Sequence, residues 1–283
     1  MVVDCHVHVF AAASDRFPRD VHELYPAELE ALVESLIAEM ERAGVDRAVL
    51  VPLSHHDEYL HDCLQRFPGR FAAIGVQSDG AADVDAYRRR RESVSLQGLR
   101  LFELGDASIT DPEQPACFPL LAELARSGDK LWFYGGEAQT ALLERVLTTL
   151  PELTVVLNHL GFWPSNLFVD KHGRPRFNRR YSAQNLAAVE SLARFPRVFV
   201  LLSGFYAFAV DPWPHGDLGW VTSALLAAFG PGRLLLASDF PWIQAVPGYA
   251  ETVATIDAHL PGLDSANRDR IRGANAVELF GFR

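Results

Sequence analysis

Short apolar runs rich in Val, Leu, Ile and Phe alternate along this chain with stretches in which apolar residues recur at helical spacing. The runs at residues 2–10, 46–51, 71–76, 97–102, 131–134, 153–159, 198–203 and 233–239 predict strands, each being short and bounded by polar or turn residues. Residues 27–43, 57–66, 83–92, 117–127, 137–149, 183–194, 218–229 and 249–259 predict helices. Strands this apolar are buried on both faces, as in parallel sheets covered by helices. Eight such strand-helix units predict an α/β fold, a (β/α)8 TIM barrel spanning residues 1–283 as a single domain. A doubly wound open sheet competes, but the glycine-rich dinucleotide turn it would carry after the first strand is absent. In residues 267–280, Ile271, Ala274, Val277 and Phe280 recur at helical spacing and predict a closing helix packed on the barrel.

The length of 283 residues and a hydrophobic content of 49% are ample for one barrel-sized core. A formal net charge of -10 argues against a nucleic-acid partner while leaving room for a local basic pocket. Cys5, Cys63 and Cys117 are scattered without paired spacing and read as cytosolic thiols. No run reaches bilayer-spanning length, and the first apolar run lacks a basic flank and is broken by Asp4, His6 and His8. A cytoplasmic protein without membrane association is therefore expected.

The chemistry lies at the strand ends. Side chains alternate along a strand, so His6 and His8 point the same way and offer a pair of nitrogen ligands to a metal or a water. A His-x-His pair alone is common by chance. Its weight comes from Glu103 past strand four, Tyr134 at strand five, His159 at strand six, Ser203 at strand seven and Asp239 at strand eight, polar groups that would be costly in a core. Asp239 ends a wholly apolar strand and is suited to take a proton from water; capping a loop or pairing with an arginine is its plainer use. His159 repeats that logic, with a core histidine as the plainer reading. Alternation puts Arg100 and Glu103 on opposite faces unless a bulge intervenes. In the long loop after strand six, Lys171, Arg174, Arg176, Arg179 and Arg180 suggest a basic lid over an acidic substrate, although a solvated charge run would look the same. Trp163, Phe205, Tyr206, Phe208, Trp213 and Trp242 offer an apolar pocket wall or a cover for the barrel mouth.

Taken in order, Asp4-Cys5-His6-Val7-His8, Gly98-Leu99-Arg100, Asn158-His159-Leu160-Gly161, Leu202-Ser203-Gly204 and Ala237-Ser238-Asp239-Phe240-Pro241-Trp242 resemble the amidohydrolase superfamily, specifically its amidohydrolase-2 branch of lactonases and related hydrolases. The resemblance runs nearly end to end. It implies a barrel hydrolase in which His6, His8, His159 and Asp239 surround the attacking water, with Asp239 and His159 catalytic. It further implies that Arg100 and Tyr134 hold a carboxylate-bearing lactone. One divalent ion is expected, zinc ahead of manganese for an imidazole-rich set, held by His6, His8, His159, Asp239 and an inward-turned Glu103; a metal-free water site is the alternative. No lysine ends strand four or five, so a two-metal centre is not expected. Decarboxylase relatives carry a further histidine where this chain has Leu201-Leu202-Ser203-Gly204. Lactone hydrolysis is thus the first reading, and non-oxidative decarboxylation of an aromatic or muconate-type acid the second. A homodimer is compatible with the sequence, and nothing in it requires one.

Overall fold

The structure, a computed structural model, describes residues 1–77, 83–161, 166–178 and 180–283. Among these, the barrel strands are β1 (Val3–Val7), β2 (Arg47–Leu50), β3 (Phe71–Ala73, resuming at Gly75–Val76), β4 (Gly98–Leu101), β5 (Lys130–Phe133), β6 (Thr154–Leu157), β7 (Val198–Leu202) and β8 (Leu234–Leu236). Neighbours pair in parallel and in chain order. At Ile74, between the halves of β3, the N–H donates to the Leu50 carbonyl, while the Ala73 carbonyl accepts from Gln97, so pairing passes from β2 to β4 across the break. The ring closes where β8 meets β1. There the Asp239 N–H donates to the His6 carbonyl at 2.9 Å, and the His8 N–H donates to the Phe240 carbonyl at 2.7 Å.

Each strand is followed by a covering helix: α1 (Val33–Ala43), α2 (Glu58–Arg66), α3 (Val84–Val94), α4 (Phe118–Ser127), α5 (Thr140–Thr149), α6 (Ala183–Ser191), α7 (Gly219–Phe229) and α8 (Tyr249–His259). Their apolar stripes cause this packing: Val33, Leu36 and Met40 of α1, or Leu120, Leu121 and Leu124 of α4, are buried against the outer sheet face. A second core fills the barrel, built from Val3, Cys5, Val49, Ile74, Trp132, Val156, Leu201 and Leu235. Ala276 and Phe280 belong to this inner core, so the carboxyl-terminal helix stoppers the amino-terminal end of the barrel.

Two expected helices differ. Residues 27–32 are not helical, because Ala31 exchanges backbone hydrogen bonds of 2.9 and 2.8 Å with Phe10 and is held extended. The closing helix is divided into Ser265–Asp269, a π-helical turn Arg270–Ala274 and Asn275–Phe280. In that turn Gly273 lies flush against the Met1 backbone, where a Cβ would collide with the carbonyl. No helix among the described residues is long and apolar enough to cross a membrane.

The register of β1 decides which of its polar side chains reach the barrel mouth. Val3 faces Arg47 and Asp4 faces Ala48, but Val7 faces Leu50, so β1 carries one residue more than β2 between these pairs. This bulge separates residues that strict alternation would align. His6 and His8 turn into the barrel mouth, whereas Asp4 turns outward to Tyr249 on α8.

Candidate active site

Asp239 stands at the centre of the carboxyl-terminal mouth. Its Oδ1 lies 3.6 Å from His6 Nε2, 3.4 Å from His8 Nε2 and 3.7 Å from His159 Nε2. Its Oδ2 accepts a 2.6 Å hydrogen bond from the Tyr206 hydroxyl. Asp239 and His159 both adopt left-handed backbone, φ 66° and 42°, which turns their side chains inward at the strand ends. Gly204, itself at φ 69°, makes room for this turn: a Cβ there would press on the His159 ring.

Burial would raise the Asp239 carboxyl, but His159, His8 and the Tyr206 hydroxyl outweigh it and hold it below its ordinary value. Burial drives His6 well below its usual range, with His8 and His159 adding to the effect, and drives His159 down to about 4. At neutral pH the centre therefore holds an ionised Asp239 carboxylate beside the neutral rings of His6 and His159. Burial and the adjacent carboxylate keep Tyr206 protonated, so it remains a donor.

Each imidazole is oriented from behind. His8 Nδ1 lies 2.7 Å from the Val51 carbonyl, an acceptor only, so that nitrogen carries hydrogen and Nε2 presents a lone pair in the neutral ring. His6 is set the other way. Trp132 Nε1, a donor only, lies 2.9 Å from His6 Nδ1, so the neutral ring carries its own hydrogen on Nε2. The Ser203 hydroxyl lies 2.9 Å from His159 Nδ1.

The Asp239 cluster opens into a cavity of about 240 Å³. Arg100 reaches it from β4, its guanidinium 4.7 Å over the Phe102 ring and 5.6 Å over that of Tyr134. Burial draws Arg100 below its ordinary value, but an arginine stays charged. No carboxylate among the described residues pairs with it, and its buried Nε has no hydrogen-bond partner. Tyr134 also lines the cavity, edge-on to His159 at 4.7 Å between ring centres.

Other expected residues stand elsewhere. Glu103 is exposed and outside the cavity, as alternation from the inward Arg100 dictates, so it does not join the imidazoles. The basic lid is not formed by Arg174 and Arg176: Arg174 pairs with Asp170 at 2.8 Å and donates to the Val246 carbonyl, and Arg176 donates to the Ala209 carbonyl. The hairpin around them instead turns Leu167, Pro175 and Phe177 to the cavity. Lys171 and Arg180 are exposed, and Trp163 and Arg179 lie outside the described residues. Of the expected aromatics, Tyr206 and Trp242 line the cavity, whereas the Trp213 indole donates to the Glu251 carbonyl at 2.8 Å.

Trp132 and Asp4 have roles that the sequence pattern did not disclose. Trp132 looks like any core indole on an apolar strand. Asp4 shares the parity of His6 and His8, yet its carboxylate accepts from Ser238 N–H and the Tyr249 hydroxyl, both at 2.8 Å, tying β1 to the end of β8 and to α8. Burial pushes Asp4 up to about 6 despite these donors. Its folded value exceeds the unfolded one, so Asp4 adds stability as pH falls from about 6 to 4. His159, lowered to about 4, withdraws stability as pH falls through the same interval. In Asp4→Asn only the second effect survives. Urea unfolding at several pH values should show the variant losing about 1.4 kcal/mol more per pH unit than the parent across that interval. Parallel pH profiles would refute the assignment.

The amidohydrolase family profile matches residues 3–282. The chain belongs to the amidohydrolase family. No curated protein matches the sequence of this amidohydrolase. Solved structures share its fold. One from Pseudomonas putida, provisionally named a 2-pyrone-4,6-dicarboxylic acid hydrolase, is 23% identical, with 100% of this chain and 98% of that one covered at a TM-score of 0.76. A Burkholderia multivorans amidohydrolase with bound zinc is 19% identical over 100% of both chains, at a TM-score of 0.77. The 5-carboxyvanillate decarboxylase of Sphingomonas paucimobilis is 16% identical, covering 100% of this chain and 99% of that one at a TM-score of 0.66.

His6, His159 and Asp239 bring atoms of metal-ligand type within 4.8 Å of one another, and His6 Nε2 and Asp239 Oδ1 are buried without hydrogen-bond partners. Zinc takes a neutral imidazole through a lone pair. His8 Nε2 meets that condition; His6 Nε2 carries hydrogen while Trp132 donates to its other nitrogen. The His-x-His pair of this amidohydrolase therefore does not fit zinc as two nitrogen ligands with Trp132 in place.

Proposed function

We propose that this amidohydrolase opens a carboxylate-bearing lactone or similar cyclic ester by water attack, with Asp239 as the general base. The observation that carries this reading is the presence, in one cavity, of an ionised Asp239 and a buried Arg100 on which Asp239 acts through space and which no carboxylate among the described residues holds in an ion pair. A buried guanidinium that no carboxylate holds in an ion pair favours an anionic ligand, and a planar carboxylate matches its geometry.

A water at the centre can donate to Asp239 Oδ1 and to His8 Nε2, leaving an oxygen lone pair for the lactone carbonyl. The His6 Nε2–H is directed toward the same centre and serves the carbonyl oxygen as negative charge develops there. Asp239 Oδ1 takes one water proton as the C–O bond forms. When the ring C–O bond breaks, the protonated Asp239 gives that proton to the departing alkoxide. The new carboxylic acid then ionises in solvent, so each turnover releases one proton. Neither Asp239 nor His159 ends the cycle altered, and Tyr206 holds Oδ2 throughout.

An indicator assay in weak buffer under a CO2-free purge tests this reading with matched lactones bearing and lacking a carboxylate. Acidification is expected, preferential for the carboxylated members. Arg100→Gln should raise KM for these by roughly a hundredfold, the loss of about 3 kcal/mol from one charged hydrogen-bonding pair, with a smaller effect on kcat. Alkalinisation would instead reveal decarboxylation and sink the lactonase reading.

A further inference from the structure

We infer that Asp20, His55 and His56 form a second, surface site for a divalent transition-metal ion, bridging two loops that wall the catalytic cavity. One ligand atom from each residue lies within 4.8 Å of the others, and the two imidazole rings are 4.1 Å apart. None of the three side chains makes a hydrogen bond among the described residues; His56 Nδ1 also stands 4.0 Å from Glu58 Oε2. Two nitrogens and one carboxylate oxygen, with water completing the shell, suit zinc, nickel or copper(II) in preference to magnesium or calcium. Asp20 and the nearby Glu58 also supply the negative charge that a divalent ion requires.

Both sides of the cluster are anchored, which distinguishes it from a chance meeting of surface side chains. Asp20 lies on the loop between β1 and α1, next to Arg19, whose guanidinium donates to the carbonyls of Ala11, Asp20, Tyr25, Pro26, Ala27 and Leu29 and holds the loop folded. His55 and His56 precede Asp57, whose carboxylate is gripped by Arg90 at 2.7 and 3.0 Å. Their ordering cost is therefore partly met before an ion arrives. The first loop sends His22, Leu24 and Tyr25 into the catalytic cavity, and the second sends Leu53. An ion at Asp20, His55 and His56 would couple those walls at a distance from Asp239.

The test is calorimetric titration of tag-free protein with zinc chloride, comparing the parent with His55→Ala/His56→Ala and with Asp20→Asn. The parent should bind one zinc at this site, in the micromolar range, and both variants should bind it more than about tenfold more weakly. Asp239→Asn should leave this binding unchanged, which separates the surface site from the catalytic centre. Bound zinc should also slow amide exchange in residues 11–32 of the parent and not of the double variant. Parent protein that binds no zinc, or binding that persists in the double variant, would overturn the inference.

Discussion

On the proposed mechanism, Asp239→Asn should lower kcat by roughly a thousandfold or more while leaving KM within a few-fold, because general-base catalysis contributes on that scale and Arg100 would still bind the substrate carboxylate. The substitution keeps the size of the side chain and an oxygen for the Tyr206 hydroxyl, and removes the charge proposed to abstract the proton. Steady-state turnover followed by proton release checks it, with thermal unfolding to confirm that the variant is folded. The parent's acid limb should lie below the ordinary range of an aspartate, because the Asp239 carboxyl is held down by its surroundings. Full turnover in the variant would remove Asp239 from the chemistry.

Trp132→Phe should have the second largest effect, and its signature is a change in what the centre binds. Trp132 is fully buried, stacked on His6 within 5° of parallel, and supplies the hydrogen that occupies His6 Nδ1. Without that donor, the neutral ring can carry its hydrogen on Nδ1 and present a lone pair on Nε2, as His8 does. The variant should lose roughly tenfold to a hundredfold in kcat/KM, since one oriented donor to the carbonyl oxygen is no longer fixed. It should also gain affinity for zinc, measured in a His55→Ala/His56→Ala background so that surface binding does not contribute. Nitrogen-15 spectra of labelled histidine report the tautomer directly: the His6 hydrogen on Nε2 in the parent, shifted in the variant. A mere packing defect would lower the melting temperature and leave both the tautomer and zinc affinity unchanged. Positioning by Trp132 thus has readouts separate from stability.

Much of this architecture is encoded locally. The alternation of buried apolar runs with amphipathic stretches is dictated by the need to cover both faces of a parallel sheet, so the strand order and all eight covering helices could be placed from pattern alone. The convergence of His6, His8, His159 and Asp239 was legible for the same reason, since side chains at the carboxyl ends of barrel strands share one mouth. The arginines after β6 misled because composition records charge and not partners: Arg174 and Arg176 are committed to Asp170 and backbone carbonyls, and the cavity receives apolar residues from that hairpin.

By itself, the sequence determined the barrel, that His6 and His8 share one side of their strand, and that a carboxylate ends the last strand, because periodicity and strand-end position are properties of the chain. Only the tertiary structure decided that His6 and His8 turn inward while Asp4 turns away from them, since the bulge in β1 depends on its register against β2. Only it decided that Glu103 faces solvent while Arg100 stays buried and unpaired, and that Trp132, 126 residues from His6, sets where that ring carries its hydrogen. The physical reason is common to these cases: a hydrogen bond or ion pair between distant segments has no periodicity to betray it, and exists only once the ring of strands has closed.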